Sequence, residues 1–287
     1  MKRNEFLKLS GGLAIAGLAS RSGFASLAGE NAKLKNFGIQ LWSVRDDLGK
    51  DPKGVLKQLA SYGYKQIESF EGGKGMFWGM SNTEFKSYMD ELGMKIISSH
   101  CDINKDFEKK AADAAAIGMK YLICPYKGPQ KDIDAFKKFA DEFNQKGEIC
   151  KKNGIRFAYH NHDYSFAVMN GEMGQDIMMK NTDANLVDFE MDMYWVVAAG
   201  QDIEAWLKKY PNRFTLCHVK DRSKTPVEDD GKNSVNLGTG GIDFVKILKT
   251  AKENGMQYYI VEQEAYPSGT PIEAAKADAE YMKNLRF

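Results

Sequence analysis

The chain has 287 residues, of which 43% are hydrophobic and 28% charged, and its formal net charge is +1. This length is ample for a substantial core, and the composition is ordinary for a globular protein. Residues 1–28 carry a net charge of +3, which leaves −2 for the remainder, so the remainder lacks the basic surface that a nucleic-acid-binding protein needs.

Residues 1–28 have the pattern of an export signal. A basic start, MKRNEFLK, precedes the short apolar segment LSGGLAIAGLAS, and SLA at 26–28 offers a cleavage site before Gly29. The segment is too short to span a membrane. The basic start is similar to a twin-arginine signal with Asn4 in place of a second arginine, so export could follow either the twin-arginine route or the general secretory route. We therefore expect a periplasmic protein; the alternative is an amphipathic first helix.

Eight strand-like segments alternate with helical patterns along the rest of the chain. They cover residues 37–42, 64–69, 95–100, 119–124, 155–160, 186–192, 213–219 and 257–262. A glycine between each of several helical patterns and the next strand suits the left-handed position after a helix; these are Gly63, Gly93, Gly118, Gly154 and Gly255. The alternation predicts an α/β fold, a (β/α)8 TIM barrel, as a single domain over residues 29–287. A doubly wound open sheet is the alternative, although no G-x-G-x-x-G motif follows the first strand.

All four histidines lie at the ends of strand-like segments, as His100, His160, His162 and His218. Other strand ends carry Gln40, Trp42, Glu68, Asp192, Lys220, Glu262 and Glu264. In a barrel the C-terminal strand ends converge on one face, where catalytic groups come from several strands. We therefore expect one shared site there. The alternatives are that histidines cap strands by hydrogen bonding, that Asp192 caps the following helix, and that Lys220 only pairs with a carboxylate.

Two imidazoles and two carboxylates on four adjacent strands predict a site for one divalent metal ion. The expected ligands are His160, Asp192, His218 and Glu262, with His162 as the substitute for His160. This mixed nitrogen and oxygen set suits Mn, Zn or Co better than Mg. We expect the substrate to contact Gln40, Trp42, His100, Trp78, Trp195 and Glu264.

Two loops rich in glycine follow predicted strands. The segment GGKGMFWGM at 72–80 carries Phe77 and Trp78, whose rings could stack on a sugar; it is either a mobile lid or a loop anchored by its aromatics. The segment Gly238–Gly241 precedes a helix where barrels often bind phosphate. Because an exported enzyme rarely meets sugar phosphates, we favour a simple turn here and a substrate without phosphate.

Six segments in order resemble the xylose-isomerase-like (β/α)8 superfamily, specifically its sugar phosphate isomerase/epimerase group. They are IQLWSVRDDL, YHNHDYSF, DFEMDMYWVVAAGQDI, HVKD, LGTGGIDF and YIVEQE, and the resemblance covers about residues 36–287. The resemblance implies one divalent metal held by Glu, Asp, His and Glu from the last four strands. These positions are His160, Asp192, His218 and Glu262 here, so a histidine replaces the first glutamate.

This departure bears on the reaction. Sugar epimerases of the group use two metal-bound glutamates as acid and base, and only Glu262 is present here. Ser165 also stands where related sequences often carry an acid. Endonuclease-type relatives need a trinuclear zinc cluster with extra histidines, and Trp195 occupies one such place, so DNA repair is not expected.

The resemblance implies a metal-dependent sugar isomerase or epimerase that removes a proton next to a carbonyl and stabilises the resulting enediolate. Glu262 or Glu68 would be the base, and His162 or Lys220 would deliver the proton or stabilise the oxyanion. The alternatives are a lyase or dehydratase that acts on a keto-sugar or keto-glycoside through the same enediolate, and a non-catalytic sugar-binding barrel. The expected partner is a small-molecule sugar. We expect neither a nucleic-acid partner nor a membrane-spanning segment, and the protein could form a homo-oligomer.

Overall fold

A computed structural model describes residues 33–287, except for the side chain of Asp230. Eight strands form a closed parallel barrel: β1 (Gly38–Gln40), β2 (Gln66–Phe70), β3 (Lys95–His100), β4 (Tyr121–Cys124), β5 (Arg156–His160), β6 (Val187–Asp192), β7 (Phe214–Val219) and β8 (Tyr258–Val261). Each strand pairs with its neighbours in sequence, and β1 pairs with β8. The closed sheet confirms the predicted (β/α)8 barrel over the open alternative. The predicted export signal lies outside the described residues and stays a prediction.

Helices connect successive strands and cover the outside of the barrel. In the described part of the chain they are α1 (Arg45–Leu48), α2 (Pro52–Tyr62), α3 (Asn82–Glu91), α4 (Phe107–Ala116), α5 (Asp134–Lys152), α6 (Gly174–Asn181), α7 (Met193–Ala198), α8 (Ile203–Lys209), α9 (Phe244–Glu253) and α10 (Pro271–Asn284). None of these helices combines the length and the apolar character needed to cross a membrane.

Local sequence accounts for where these helices begin and end. Helix α10 begins with a capping box between Thr270 and Glu273, and Pro271 occupies its first turn, where a missing N–H costs nothing. Helix α2 ends at Gly63, whose φ of 106° is left-handed and turns the chain toward β2. These signals are short-range, so the sequence alone predicts them.

The inside of the barrel is layered. Ile97, Ile123, Ala158 and Leu216 form an apolar cluster of buried side chains that belong to different strands. Side chains two residues apart lie on the same side of a strand. His160 therefore follows Ala158 toward the C-terminal end of the barrel, as His218 follows Leu216. The packed apolar layer supports the polar side chains above it.

The chain departs from the predicted segments near the active face. Strand β1 ends at Gln40, and Trp42 lies in a 3-10 turn over Leu41–Val44 rather than at a strand end. Two short antiparallel ladders were not predicted; they pair Val168–Met169 with Glu172–Met173 and Asp221–Arg222 with Ser234–Val235.

Candidate metal and substrate site

A cavity of about 540 Å³ opens at the C-terminal end of the barrel. Its wall includes many of the predicted site residues, namely Trp42, His100, His160, His162, Trp195, Glu262 and Glu264. The sequence did not point to Phe70 and Tyr126, which also line the cavity and add to its aromatic wall. Phe70 contacts Trp42 edge to face at 5.0 Å, so the two rings form one side of the cavity.

Three of the four expected metal ligands converge on one point. His218 Nδ1 lies 3.2 Å from Glu262 Oε2 and 3.6 Å from Asp192 Oδ2. Donor atoms about 2.0–2.2 Å from one metal ion lie roughly 3–3.5 Å apart, so these separations suit a coordination sphere. Asp192 Oδ1 caps helix α7 by accepting a hydrogen bond from the Trp195 backbone N–H. Its buried Oδ2 has no hydrogen-bond partner among residues 33–287, so Asp192 combines the capping role with an oxygen available to a metal ion.

His160, the fourth expected ligand, is less closely placed. Its Nε2 lies 3.9 Å from Asp192 Oδ2, while its Nδ1 lies 3.2 Å from Glu190 Oε2. Burial lowers the pKa of His160 well below its ordinary value, and the nearby His218 adds to this effect. The ring is therefore neutral, as a metal-binding imidazole must be.

Gln40 and Glu68 lie beneath the cavity rather than on its wall. Glu68 is fully buried, and its carboxylate accepts hydrogen bonds from Gln40 Nε2 and from His218 Nε2, the latter over 2.7 Å. Its other oxygen accepts the hydroxyl of Ser98. Burial would raise the pKa of Glu68, but the His100 and His218 imidazoles hold it well below its usual range. We therefore correct two expectations: Glu68 is positioned to orient His218 rather than to act as a base, and Gln40 holds Glu68 rather than the substrate.

Glu190 is the site residue that sequence analysis missed. It is fully buried on β6, and its Oε2 lies 2.8 Å from His100 Nε2, 3.2 Å from His160 Nδ1 and 3.4 Å from His218 Nε2. Burial raises the pKa of Glu190 to about 7, and the nearby Glu68 adds to this effect. The sequence feature that could have identified Glu190 is its position two residues before Asp192, which places both side chains on the same side of the strand.

Lys220 is buried among carboxylates. Its Nζ lies 3.1 Å from Glu262 Oε2 and 3.6 Å from Asp192 Oδ2, and it donates a hydrogen bond to Glu264. It also lies over the Trp195 ring at 5.2 Å. Burial favours the neutral amine, but Glu262, Asp192 and Glu264 raise the pKa of Lys220 well above its ordinary value. Lys220 is therefore a fixed positive charge, which favours the oxyanion-stabilising role expected for it over delivery of the proton.

His162 differs from the other histidines. It lines the cavity, and its Nδ1 is buried without a hydrogen-bond partner. Its ring lies parallel to that of Tyr164 and near that of Trp195, with centroids 5.6 Å and 5.3 Å away. Burial lowers the pKa of His162 to about 4, so the imidazole is neutral at neutral pH.

The 72–80 loop is anchored rather than poised as a lid. Trp78 is buried, donates a hydrogen bond from Nε1 to Ser69 Oγ at 3.1 Å, and contacts Phe70 edge to face. Ser69 in turn donates to the backbone carbonyl of Met76. Trp78 is not part of the cavity wall, so the expected substrate contact is corrected: the ring packs behind Phe70, which does line the cavity.

The glycine-rich loop before α9 already holds a carboxylate of this chain. Asp221 Oδ2 accepts the backbone N–H groups of Gly238 and Gly240, both at 2.9 Å. Its Oδ1 accepts those of Arg222 at 2.9 Å and Ile242 at 3.2 Å. The N–H groups that could bind a phosphate are therefore already satisfied, which agrees with the expectation of a turn.

Comparisons with known proteins agree with this architecture. A family model described as xylose isomerase-like TIM barrel matches residues 56–285. A solved sugar phosphate isomerase/epimerase from Parabacteroides distasonis is 31% identical with a TM-score of 0.75, covering 86% of this chain and 97% of that one. Inosose dehydratase from Clostridium perfringens is 31% identical over 164 residues, which are 52% of this chain and 54% of that protein. The match therefore spans about half the length of this relative. Inosose dehydratase from Mesomycoplasma hyopneumoniae is 24% identical over 285 residues, covering 88% of this chain and 87% of that protein. The chain belongs to the xylose isomerase-like TIM barrel family.

Proposed function

We propose that the protein is a divalent-metal-dependent lyase that eliminates the group β to the carbonyl of a cyclic keto-polyol. This group is water in an inosose or a keto-sugar and the aglycone alcohol in a keto-glycoside. The relatives named inosose dehydratase support this reaction class over the isomerase or epimerase first expected. The observation that carries the proposal is that His162, whose Nδ1 has no hydrogen-bond partner among the described residues, lines the same cavity as Glu262, and Glu262 belongs to the cluster with Asp192 and His218.

The residues present fit a divalent ion. Asp192, His218 and Glu262 offer three donor atoms close together, and Asp192 Oδ2 is buried without a hydrogen-bond partner in the described part of the chain. Glu68 accepts a hydrogen bond from His218 Nε2, so Nδ1, which faces Asp192 and Glu262, is the nitrogen that would give up its proton to bind the ion. When bound there, a divalent cation supplies a Lewis acid for the substrate carbonyl and acidifies the neighbouring C–H bond.

His162 would move the proton. Its neutral imidazole takes the proton from the carbon next to the carbonyl, and the electron pair of that bond then expels a hydroxyl group from the adjacent carbon. The imidazolium returns the proton to the departing hydroxyl, which leaves as water, so one group acts as both base and acid. His162 is suited to both roles because the other imidazoles that line the cavity, those of His100 and His160, both contact Glu190.

An epimerase has a different requirement. Inversion at carbon needs one group to remove a proton from one face and another to supply a proton on the opposite face. Glu262 lies against Lys220, which favours its ionised form and disfavours donation of a proton. The distribution of free and paired groups around the cavity therefore supports elimination over epimerisation.

The aromatic wall would hold the substrate ring. Trp42, Phe70, Tyr126 and Trp195 line the cavity, and Trp42 and Tyr126 are exposed at its mouth. The apolar face of a polyol ring can pack against such side chains while its hydroxyl groups face the polar floor.

The test is turnover in D2O by protein reconstituted with Mn, Zn or Co. The probes are 2-keto-myo-inositol and methyl 3-keto-β-glucoside, followed by mass spectrometry and NMR. We expect 2-keto-myo-inositol to lose water and methyl 3-keto-β-glucoside to lose methanol, and we expect a loss of turnover of about 10²–10⁴-fold in His162→Gln. Val168→Ala, an exposed position outside the cavity wall, is the control and should retain turnover.

Two other outcomes would overturn the lyase proposal. Recovery of an inverted substrate labelled with deuterium next to its carbonyl, without loss of water, would identify an epimerase. Binding of both probes with neither exchange nor product would identify a sugar-binding barrel.

A further inference from the structure

A second cluster of metal-type donors lies beside the first, and the proposed reaction does not use it. His100 from β3, His160 from β5 and Glu190 from β6 bring one donor atom each to the same place. Glu190 Oε2 lies 2.8 Å from His100 Nε2 and 3.2 Å from His160 Nδ1. The 3.2 Å separation matches the spacing of ligands around one ion, and the 2.8 Å contact is a hydrogen bond that an ion would lengthen by a few tenths of an ångström. His218 belongs to the same group of donors and also to the Asp192 and Glu262 cluster.

The donor chemistry is that of a transition-metal site. Two imidazoles and one carboxylate on three different strands form a set that suits Zn, Mn, Fe or Co better than Ca. The other oxygen of Glu190, Oε1, is buried and has no hydrogen-bond partner among the described residues. A fully buried carboxylate oxygen without a partner is costly, and a cation beside this group would remove that cost.

The balance of buried charge points the same way. Glu68, Glu190, Asp192 and Glu262 are all buried at the centre of the barrel. The nearby buried cation, Lys220, also contacts the partly exposed Glu264, which offsets its charge. His100 and His218 contact Glu68 and Glu190, and a divalent ion beside Glu190 would compensate its charge while both imidazoles stay neutral.

We propose that His100, His160 and Glu190 bind a second divalent transition-metal ion. His160 contributes Nδ1 to this ion, so the first ion keeps Asp192, His218 Nδ1 and Glu262, and no side chain has to serve both. His100, His160 and Glu262 all line the cavity, so ions can enter both clusters from the cavity. This proposal goes beyond the lyase reaction and stands whether or not that reaction is found.

The arrangement also explains why a histidine suits position 160. From the end of β5, its ring presents Nδ1 to Glu190 and Nε2 toward Asp192. A glutamate at this position would add a further carboxylate to a centre that already holds four. The imidazole instead supplies a neutral donor between the two clusters.

The test is metal stoichiometry. The protein is stripped with a chelator, reconstituted separately with Zn and Mn, desalted and analysed by elemental mass spectrometry. We expect two ions per chain in the wild type, one in Glu190→Gln and one in Asp192→Asn. His100→Gln, at the cavity edge, provides a second variant of the new site and should also bind one ion. Glu71→Gln, which changes a lining carboxylate that pairs with Lys110, should still bind two.

The Mn form gives an independent readout. Two neighbouring Mn ions couple magnetically, so the electron paramagnetic resonance spectrum of the wild type should show coupling that Glu190→Gln and His100→Gln both lose. One ion in the wild type, or two ions retained in both variants, would overturn the second site and leave the first intact. No bound ion at all would overturn both this inference and the metal dependence of the proposed lyase.

Discussion

Glu68 on β2 and His218 on β7 are 150 positions apart in sequence, and a hydrogen bond of 2.7 Å joins the Glu68 carboxylate to His218 Nε2. The bond fixes the orientation of the ring, because an ionised carboxylate can only accept and so holds the Nε2 proton. It thereby directs Nδ1 toward Asp192 and Glu262. A buried carboxylate behind a metal-binding imidazole raises its basicity and fixes its orientation.

This relationship predicts the effect of Glu68→Gln. The amide keeps nearly the same shape but loses the charge that orients His218, so we expect metal affinity to fall by about 10–100-fold. Competition with a chromogenic chelator would measure the change. Glu71→Gln is the matched control and should leave affinity unchanged; equal affinities in Glu68→Gln and the wild type would contradict the supporting role.

Lys220 should matter for turnover more than for metal binding. Replacing it with Met removes the charge beside Glu262 and Glu264, which leaves both carboxylates without their cation. Loss of one preorganised electrostatic contact commonly costs about 10²–10³-fold in kcat. We expect a loss of this size with metal stoichiometry retained, measured by steady-state kinetics on the keto-polyol that proves active. Lys105→Met, at another lysine of the cavity wall, should have a smaller effect, and an equal loss in both variants would argue against a special role for Lys220.

Asp221 should exclude anions from the loop before α9. In Asp221→Ala the N–H groups of Gly238, Gly240 and Ile242 lose their acceptor, so the protein should become less stable and inorganic phosphate should restore part of its Tm. Thermal unfolding with and without phosphate measures both effects. Asp229→Ala, at an exposed carboxylate of the preceding loop, should show neither, and a phosphate-dependent Tm in the wild type would contradict the exclusion.

Asp278 should make stability depend on pH. Burial raises the pKa of this carboxyl to about 7, even though it accepts the Leu237 N–H, so the folded protein binds a proton that the unfolded chain releases near pH 4. The contribution is complete below the unfolded pKa and disappears as pH rises through about 7. Each pH unit in that window removes up to about 1.4 kcal/mol from the free energy of unfolding.

Urea unfolding at pH 5 and pH 8 would measure this contribution, with metal removed to exclude linked binding. The difference between the two pH values should be smaller in Asp278→Asn than in the wild type by a few kcal/mol at most. Asp141→Asn, at an exposed position on α5, should keep the difference seen in the wild type. An identical pH dependence in Asp278→Asn and the wild type would show that Asp278 is ionised in the folded state.

Much of the candidate site could be predicted because its residues stand at strand ends. His100, His160, Asp192 and His218 each end a run of apolar residues, and closure of the barrel brings such ends together. Glu190 was not predicted as a site residue because it lies within a strand rather than at its end. Trp78 was misassigned because an aromatic residue in a glycine-rich loop looks the same in sequence whether its ring faces a cavity or the core.

Local patterns in the sequence indicate the barrel, the order of its strands and the face on which the ionisable residues gather. These patterns span two to four residues and include the glycine turns that end several of the helices. The tertiary structure establishes which nitrogen of His160 and His218 faces which carboxylate, that Glu68 supports His218, and that Asp221 fills the glycine-rich loop. Those relationships depend on distances of a few ångströms between segments far apart in sequence, and the closure and register of the whole barrel set those distances.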